Sequence, residues 1–120
     1  MKIAIVGPIH EAGWELLKSH GLEVYEVTDL SPSNLKKELS TASGMVLRTA
    51  KMPNDVLDAC SDLKIIARHG VGYDNVDLNY LNQKKIALGI TSTANAISVA
   101  EHVMTFFLQL TKNILPSLVN

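Results

Sequence analysis

A chain of 120 residues and 13.1 kDa fits one domain of ordinary size and leaves no room for two full ones. With 47% hydrophobic and 19% charged residues it can fill a core, which excludes a disordered tail. Eleven basic against twelve acidic side chains, a net charge of -1, leave no cationic excess for a run of phosphates and argue against a nucleic-acid partner.

The first residues, 2–7 (Lys-Ile-Ala-Ile-Val-Gly), are a short run of β-formers ending in Gly-Pro, the pattern of a buried strand. Residues 11–20 carry Trp14, Leu16 and Leu17 at helical spacing before Gly21 stops them. Residues 22–27, Leu-Glu-Val-Tyr-Glu-Val, intersperse Leu, Val and Val with Glu, Tyr and Glu, a strand with one wetter face near a sheet edge. Ser31 as cap and Pro32 at the first helical position open a second helix, continued by Leu35 and Leu39. Residues 44–48 read as a third strand. Residues 53–60 read as a short helix with carboxylates in its first turn, where the dipole favours them. A fourth strand at 63–67, a loop and short helix over 75–84, and a fifth strand at 86–90 follow. The chain closes with a long apolar helix over 94–113 that Pro116 stops.

Strand and helix alternate five times with short connections. That rhythm predicts an α/β fold: a doubly wound parallel sheet between helical layers, αβα, because parallel neighbours need crossovers. Five strands suit the flavodoxin-like order 2-1-3-4-5. The last helix is apolar on nearly every face, with Ile97, Val99, Val103, Met104, Phe106, Phe107, Leu108 and Leu110. The domain's own sheet is expected to cover about half of that surface, and another domain or subunit the rest. A homodimer through residues 94–113 is therefore expected, with Phe106, Phe107 and Leu110 meeting their counterparts.

Lone Cys60 excludes an internal disulfide and a CxxC site, and His10, His20 and His69 have no metal-ligand spacing, so no metal is expected. Residues 3–6 are far shorter than the roughly seven to fifteen apolar residues of a signal peptide. No span approaches the roughly 20 of a membrane helix. The expectation is a soluble, cytoplasmic protein with no membrane partner.

The turn Gly7-Pro-Ile-His-Glu-Ala-Gly13 lacks the second glycine of GxGxxG, and Pro8 removes a backbone N–H, so it makes a poor phosphate cradle. The stronger segment is Ala67-Arg-His-Gly-Val-Gly-Tyr-Asp-Asn-Val-Asp77, directly after the fourth strand, where such sheets bind ligands. Gly70 and Gly72 flank Val71, so peptide N–H groups can turn outward toward a small carboxylate. The plainer alternative is a structural turn with Asp74 and Asp77 capping the next helix. Arg48, followed by Thr49 and Lys51 at the end of the third strand, offers a phosphate or carboxylate site or simply a surface cation. Asn95 can cap the last helix or bind a carboxylate. Glu101 and His102 are adjacent on a helix, about 100° apart, and do not face each other as an acid–base pair would.

Two blocks in order, Leu63-Lys-Ile-Ile-Ala-Arg-His-Gly-Val-Gly-Tyr-Asp-Asn-Val-Asp77 and Asn95-Ala-Ile-Ser-Val-Ala-Glu-His102, resemble the D-isomer-specific 2-hydroxyacid dehydrogenases. The Gly-Pro-Ile-His-Glu-Ala-Gly turn and Val46-Leu-Arg-Thr-Ala50 resemble the 3-phosphoglycerate branch, which serves serine biosynthesis. The resemblance implies that residues 1–93 are the N-terminal part of the substrate-binding domain and 94–120 a crossing helix toward an NAD-binding domain. It implies NAD as cofactor and a small 2-hydroxy or 2-oxo acid, phosphorylated in that branch, as partner. Gly70, Val71, Gly72 and Asn95 fall where the family holds the substrate carboxylate, Arg48 where the branch reaches the phosphate, and Val99 near the nicotinamide. The family's catalytic Arg, Glu and His belong to later segments, so this chain implies no catalytic residue and no turnover alone. Where the family often reads Thr-Pro-Gly before the Ala-Asn, this chain has Thr91-Ser-Thr93. A rival from another class is a stand-alone small-anion-binding or interaction module without catalysis. A response regulator would need an acidic cluster and a phosphoacceptor Asp, and Gly7-Pro-Ile-His supplies neither.

Overall fold

The structure, a computed structural model, describes residues 1–112. Its elements run β1 (Lys2–Val6), α1 (Glu11–Ser19), β2 (Glu23–Val27), α2 (Pro32–Glu38), β3 (Gly44–Leu47), α3 (Asn54–Asp58), β4 (Ile65–Arg68), α4 (Leu78–Lys84), β5 (Ala87–Ile90) and α5 (Ala96–Thr111). The five strands form one parallel sheet in the order β2-β1-β3-β4-β5, as the alternation predicts. The wetter strand, β2, is indeed at an edge. The expected continuation of the last helix to Asn113 and its stop at Pro116 lie outside the described residues.

Period-two alternation decides which side chains meet which layer. Ala4, Val6, Val27, Met45, Leu47 and Ile66 point to one face and are buried there against Leu35 and Leu39 of α2 and its C-cap, Val56 and Leu57 of α3, and Leu81 of α4. Chain direction explains the layering. The step from β1 to β2 runs opposite to the later steps, so right-handed crossovers place α1 on the other face from α2, α3 and α4. There α1 packs beside β2, and Ile3 and Ile5 are buried outside the main cluster. Farther along that face, over β4 and β5, no helix lies among the described residues. Ile65 is 41% exposed there, and Ala67, Ala87 and Gly89 are exposed as well.

Local chemistry places the helix ends. Pro32 does open α2, but the Ser31 side chain makes no capping bond. Asp29 instead turns the chain into the helix, its Oδ1 accepting from the Ser31 N–H at 2.9 Å without reaching the free N–H groups of the first turn. Asp77 caps α4 through the Tyr80 N–H at 3.1 Å, and no such bond comes from Asp74. α4 ends at Lys85 in the left-handed region (φ 57°), with the Ile86 N–H returning to Leu81 O at 2.9 Å. Between α3 and α4, Asp58 accepts from Tyr80 Oη and pairs with Lys84 Nζ at 2.8 Å.

One expectation is corrected. The sheet was to cover about half of the apolar last helix, yet no residue of α5 is buried and α5 makes no extensive packing contact with another element among the described residues. Ile97 is 77%, Phe107 60% and Leu110 74% exposed. The cause is the direction in which the helix leaves. It starts at the carboxyl edge of the sheet, after β5, and runs outward rather than turning back across the open face. The molecule is accordingly elongated, 58 × 32 × 25 Å with a radius of gyration of 18.7 Å, against about 14 Å for a compact chain of this length.

The two faces predict unequal costs for the same deletion at neighbouring positions. Ile66→Ala, fully buried, should lower unfolding free energy by about 2–5 kcal/mol, whereas Ile65→Ala on the open face should cost less than about 1 kcal/mol. Urea denaturation of the two variants checks this.

Candidate functional site

Because the strands are parallel, the loops that follow β1, β3, β4 and β5 gather along one edge of the sheet. A cleft of about 240 Å³ lies there, lined by His69, Gly70, Val71, Thr91, Ala94 and Asn95. The glycine turn and the start of α5 thus come together, as the two sequence blocks led one to expect for Gly70, Val71 and Asn95. A tie holds them: the Thr91 N–H donates to Gly70 O at 3.1 Å. The Val71 and Gly72 N–H groups have no partner among the described residues, whereas the Gly70 N–H is used on Arg68 O at 2.9 Å. Asn95 opens α5 through its carbonyl, which accepts from the Val99 N–H at 2.9 Å, but its side chain makes no capping bond. The amide is left to the cleft.

Gly70 leaves room for the side chain two residues before it. The Arg68 guanidinium folds over it, Nη1 donating to His69 O, and a Cβ there would push that guanidinium aside. Gly72 lies one step on and lines the neighbouring hollow with Tyr73, Asp74, Val76 and Leu78. Arg48 does not line the cleft. It stands at the end of β3 with Nη1 donating to Pro8 O at 3.2 Å, and its Cβ lies 3.1 Å from where a Cβ on Gly7 (φ 98°) would be. The first turn is therefore occupied by Arg48 as well as lacking a second glycine, and it offers no cradle for a dinucleotide pyrophosphate. Val99 is exposed one turn into α5 and lines none of the clefts described.

The sequence reading missed Asn75. Its Nδ2 donates to Ala50 O at 2.9 Å and its Oδ1 accepts from Arg68 Nε at 3.3 Å. An asparagine inside a glycine-rich loop carries both donor and acceptor, and that dual capacity was the signal available. Elsewhere the chemistry is quiet. Burial pushes the Cys60 thiol up to about 11, so it is no nucleophile at neutral pH. The His102 ring meets Phe106 edge-on at 4.2 Å, and among the described residues no three His, Cys, Asp or Glu side chains cluster as metal ligands would. No helix of the described residues is long and apolar enough to cross a membrane.

A sheet of this order with a glycine turn and a helix-opening asparagine at its carboxyl edge defines a class. The family model described as D-isomer specific 2-hydroxyacid dehydrogenase, catalytic domain, matches residues 3–118, and the chain belongs to that family. Among individual relatives it is similar to the D-3-phosphoglycerate dehydrogenase of Archaeoglobus fulgidus, 35% identical over 115 residues, covering 95% of this chain and 22% of that protein. It is also similar to a putative 2-hydroxyacid dehydrogenase of Staphylococcus saprophyticus, 39% identical over 114 residues, covering 92% and 35%. The NAD+-bound 3-phosphoglycerate dehydrogenase of Entamoeba histolytica superposes with a TM-score of 0.77 at 29% identity, over 91% of this chain and 38% of that one. The chain spans 22% and 35% of the lengths of these two curated relatives.

The cap at the foot of the glycine loop makes a pH prediction. The Tyr80 N–H, then the Asn54 amide, hold the Asp77 carboxyl below its usual range. Its folded value lies below its unfolded one. Its ionic contribution is therefore complete above the unfolded value near 3.9 and is lost as pH falls through the folded value. Asp77→Asn keeps a neutral cap and removes only that charge-dependent part. Denaturation curves of the two proteins should differ at neutral pH and converge at the acid end.

Proposed function

We propose that this chain holds the substrate of a D-2-hydroxy acid dehydrogenase, most specifically a D-3-phosphoglycerate dehydrogenase. The observation that carries the reading is the convergence of unpaired N–H groups on the glycine turn with the Asn95 amide at the carboxyl edge of a parallel sheet. In this reading the Val71 and Gly72 N–H groups donate to the substrate carboxylate, with Gly70 shaping the turn and the Asn95 amide orienting the acid from the other side. Arg48 takes the phosphate. To do so it exchanges a single neutral carbonyl, Pro8 O, for a dianion, which favours the ligand.

NAD is the cofactor this reading implies, and the described residues do not fit its pyrophosphate. Its binding falls to other parts of the protein, with Val99 facing the nicotinamide in the assembled enzyme. Support for the substrate comes from the 3-phosphoglycerate dehydrogenases among the relatives and from the basic side chain at position 48. The test is Arg48→Ala, read by calorimetric titration with D-3-phosphoglycerate and D-lactate. The phosphorylated acid should lose about ten- to a hundredfold in affinity and D-lactate far less. Equal losses would show that Arg48 does not read a phosphate.

We also propose that α5 is a self-association surface. Several large side chains stand exposed on it, and each Å² of apolar area left wet is disfavoured by about 25 cal/mol. A two-fold contact through Phe106, Phe107 and Leu110 buries the same patch on both copies. Sedimentation equilibrium should find a dimer for the native sequence and a monomer for Phe107→Glu. A monomer in both would reject the surface.

A further inference from the structure

The groups assigned to the two ends of the substrate sit on different loops, residues 48–52 after β3 and residues 69–77 after β4. The sheet sets the roots of these loops, with Leu47 opposite Arg68 and the His69 N–H on Leu47 O at 2.8 Å. Beyond that bond the ladder ends, and Asn75 takes over. Its main-chain oxygen accepts from the Met52 N–H at 2.9 Å. Its Nδ2 donates to Ala50 O at 2.9 Å and lies 3.5 Å from Arg48 O, while its Oδ1 accepts from Arg68 Nε at 3.3 Å. The amide has one workable orientation, because two carbonyls need donors on one side and an arginine N–H needs an acceptor on the other. Arg68 then carries the linkage onward, since its guanidinium donates to His69 O and lies over Gly70. A continuous set of contacts joins the Arg48 loop to the glycine turn through one half-buried side chain.

We infer that Asn75 is a positioning residue that sets the distance between Arg48 and the turn at residues 70–72, and thereby the length of the phosphorylated hydroxy acid that can reach both. The inference rests on the reading of Arg48 and the glycine turn as the two ends of one substrate. Asn75 itself touches no ligand in this scheme. Its side chain adds the Ala50 and Arg68 bonds to the main-chain bond that already joins the two loops at Met52, so its loss loosens the Arg48 end and falls on ligands that must reach both ends. An acid held at the carboxylate end alone is nearly indifferent to it.

Asn75→Asp is the sharp variant. A carboxylate still accepts from Arg68 but faces the Ala50 and Arg48 carbonyls with no hydrogen to give, so it pushes the 48–52 loop away. Asn75→Leu has similar size and neither polar atom. Both are titrated with D-3-phosphoglycerate and with D-glycerate, and amide hydrogen exchange is read at Met52 without ligand. D-3-phosphoglycerate should weaken by about tenfold or more in either variant, D-glycerate by less than about threefold, and the Met52 amide should exchange faster. Equal weakening of both acids, or no weakening of either, overturns the inference. If the native protein binds the two acids alike, the phosphate reading of Arg48 is what fails. The exchange rates then decide the clamp: faster exchange at Met52 upholds it as a spacer, and an unchanged rate overturns it. Should the Asp variant not fold, the Leu variant decides between the same outcomes.

Discussion

Parallel strand pairing is the constraint on which this molecule depends. A parallel neighbour cannot be reached by a tight hairpin, so every strand must be followed by a crossover, and every crossover leaves from the same edge. The ladder from β1 through β3 and β4 to β5 thus collects at one rim the loops that follow those strands. Neither the glycine turn nor Asn95 is near the other in sequence, and no contact between their side chains brings them together. The register of β4 on β5, Arg68 opposite Ile90, does so.

The same constraint explains why so much of the fold could be read in advance. Buried β-branched runs such as Ile3 to Val6, and a proline followed by apolar residues at helical spacing, are local signals, and they survive into the structure. That Gly70, Val71 and Asn95 would stand at the carboxyl edge was legible, because a glycine turn after a strand and an asparagine before a helix are local signals. What escaped were relations between loops. That Arg48 would rest on Pro8 O, or that Asn75 would bridge Ala50 and Arg68, depends on which strands are neighbours and on loop paths that sequence spacing does not encode. The long helix was misjudged for a related reason. Its apolar composition says that it must be covered by something, and only the direction in which it leaves the sheet says that its own sheet is not the cover.

The ionic groups divide into two kinds. Lys36 with Asp55 at 2.7 Å, and Lys84 with Asp58, join adjacent helices on an exposed flank, where each pair is worth little. Arg48 and Arg68 stand instead at the rim, Arg48 on a main-chain carbonyl and Arg68 on a main-chain carbonyl and the Asn75 amide oxygen, neither of them on a carboxylate. A guanidinium held by neutral acceptors keeps its full charge available to an incoming anion and is already oriented. A carboxylate partner would have to be displaced first.

Asn95 is the first residue of a lever as well as a wall of the cleft. The sixteen residues of α5 extend about 24 Å from it at 1.5 Å per residue, with none of them buried against the sheet. A tilt of about 10° at that root carries the far end through roughly 4 Å, more than the span of a hydrogen bond. Because Asn95 also lines the cleft, a small change of angle at one wall of the site is, by this geometry, a large displacement of the distal turns of α5.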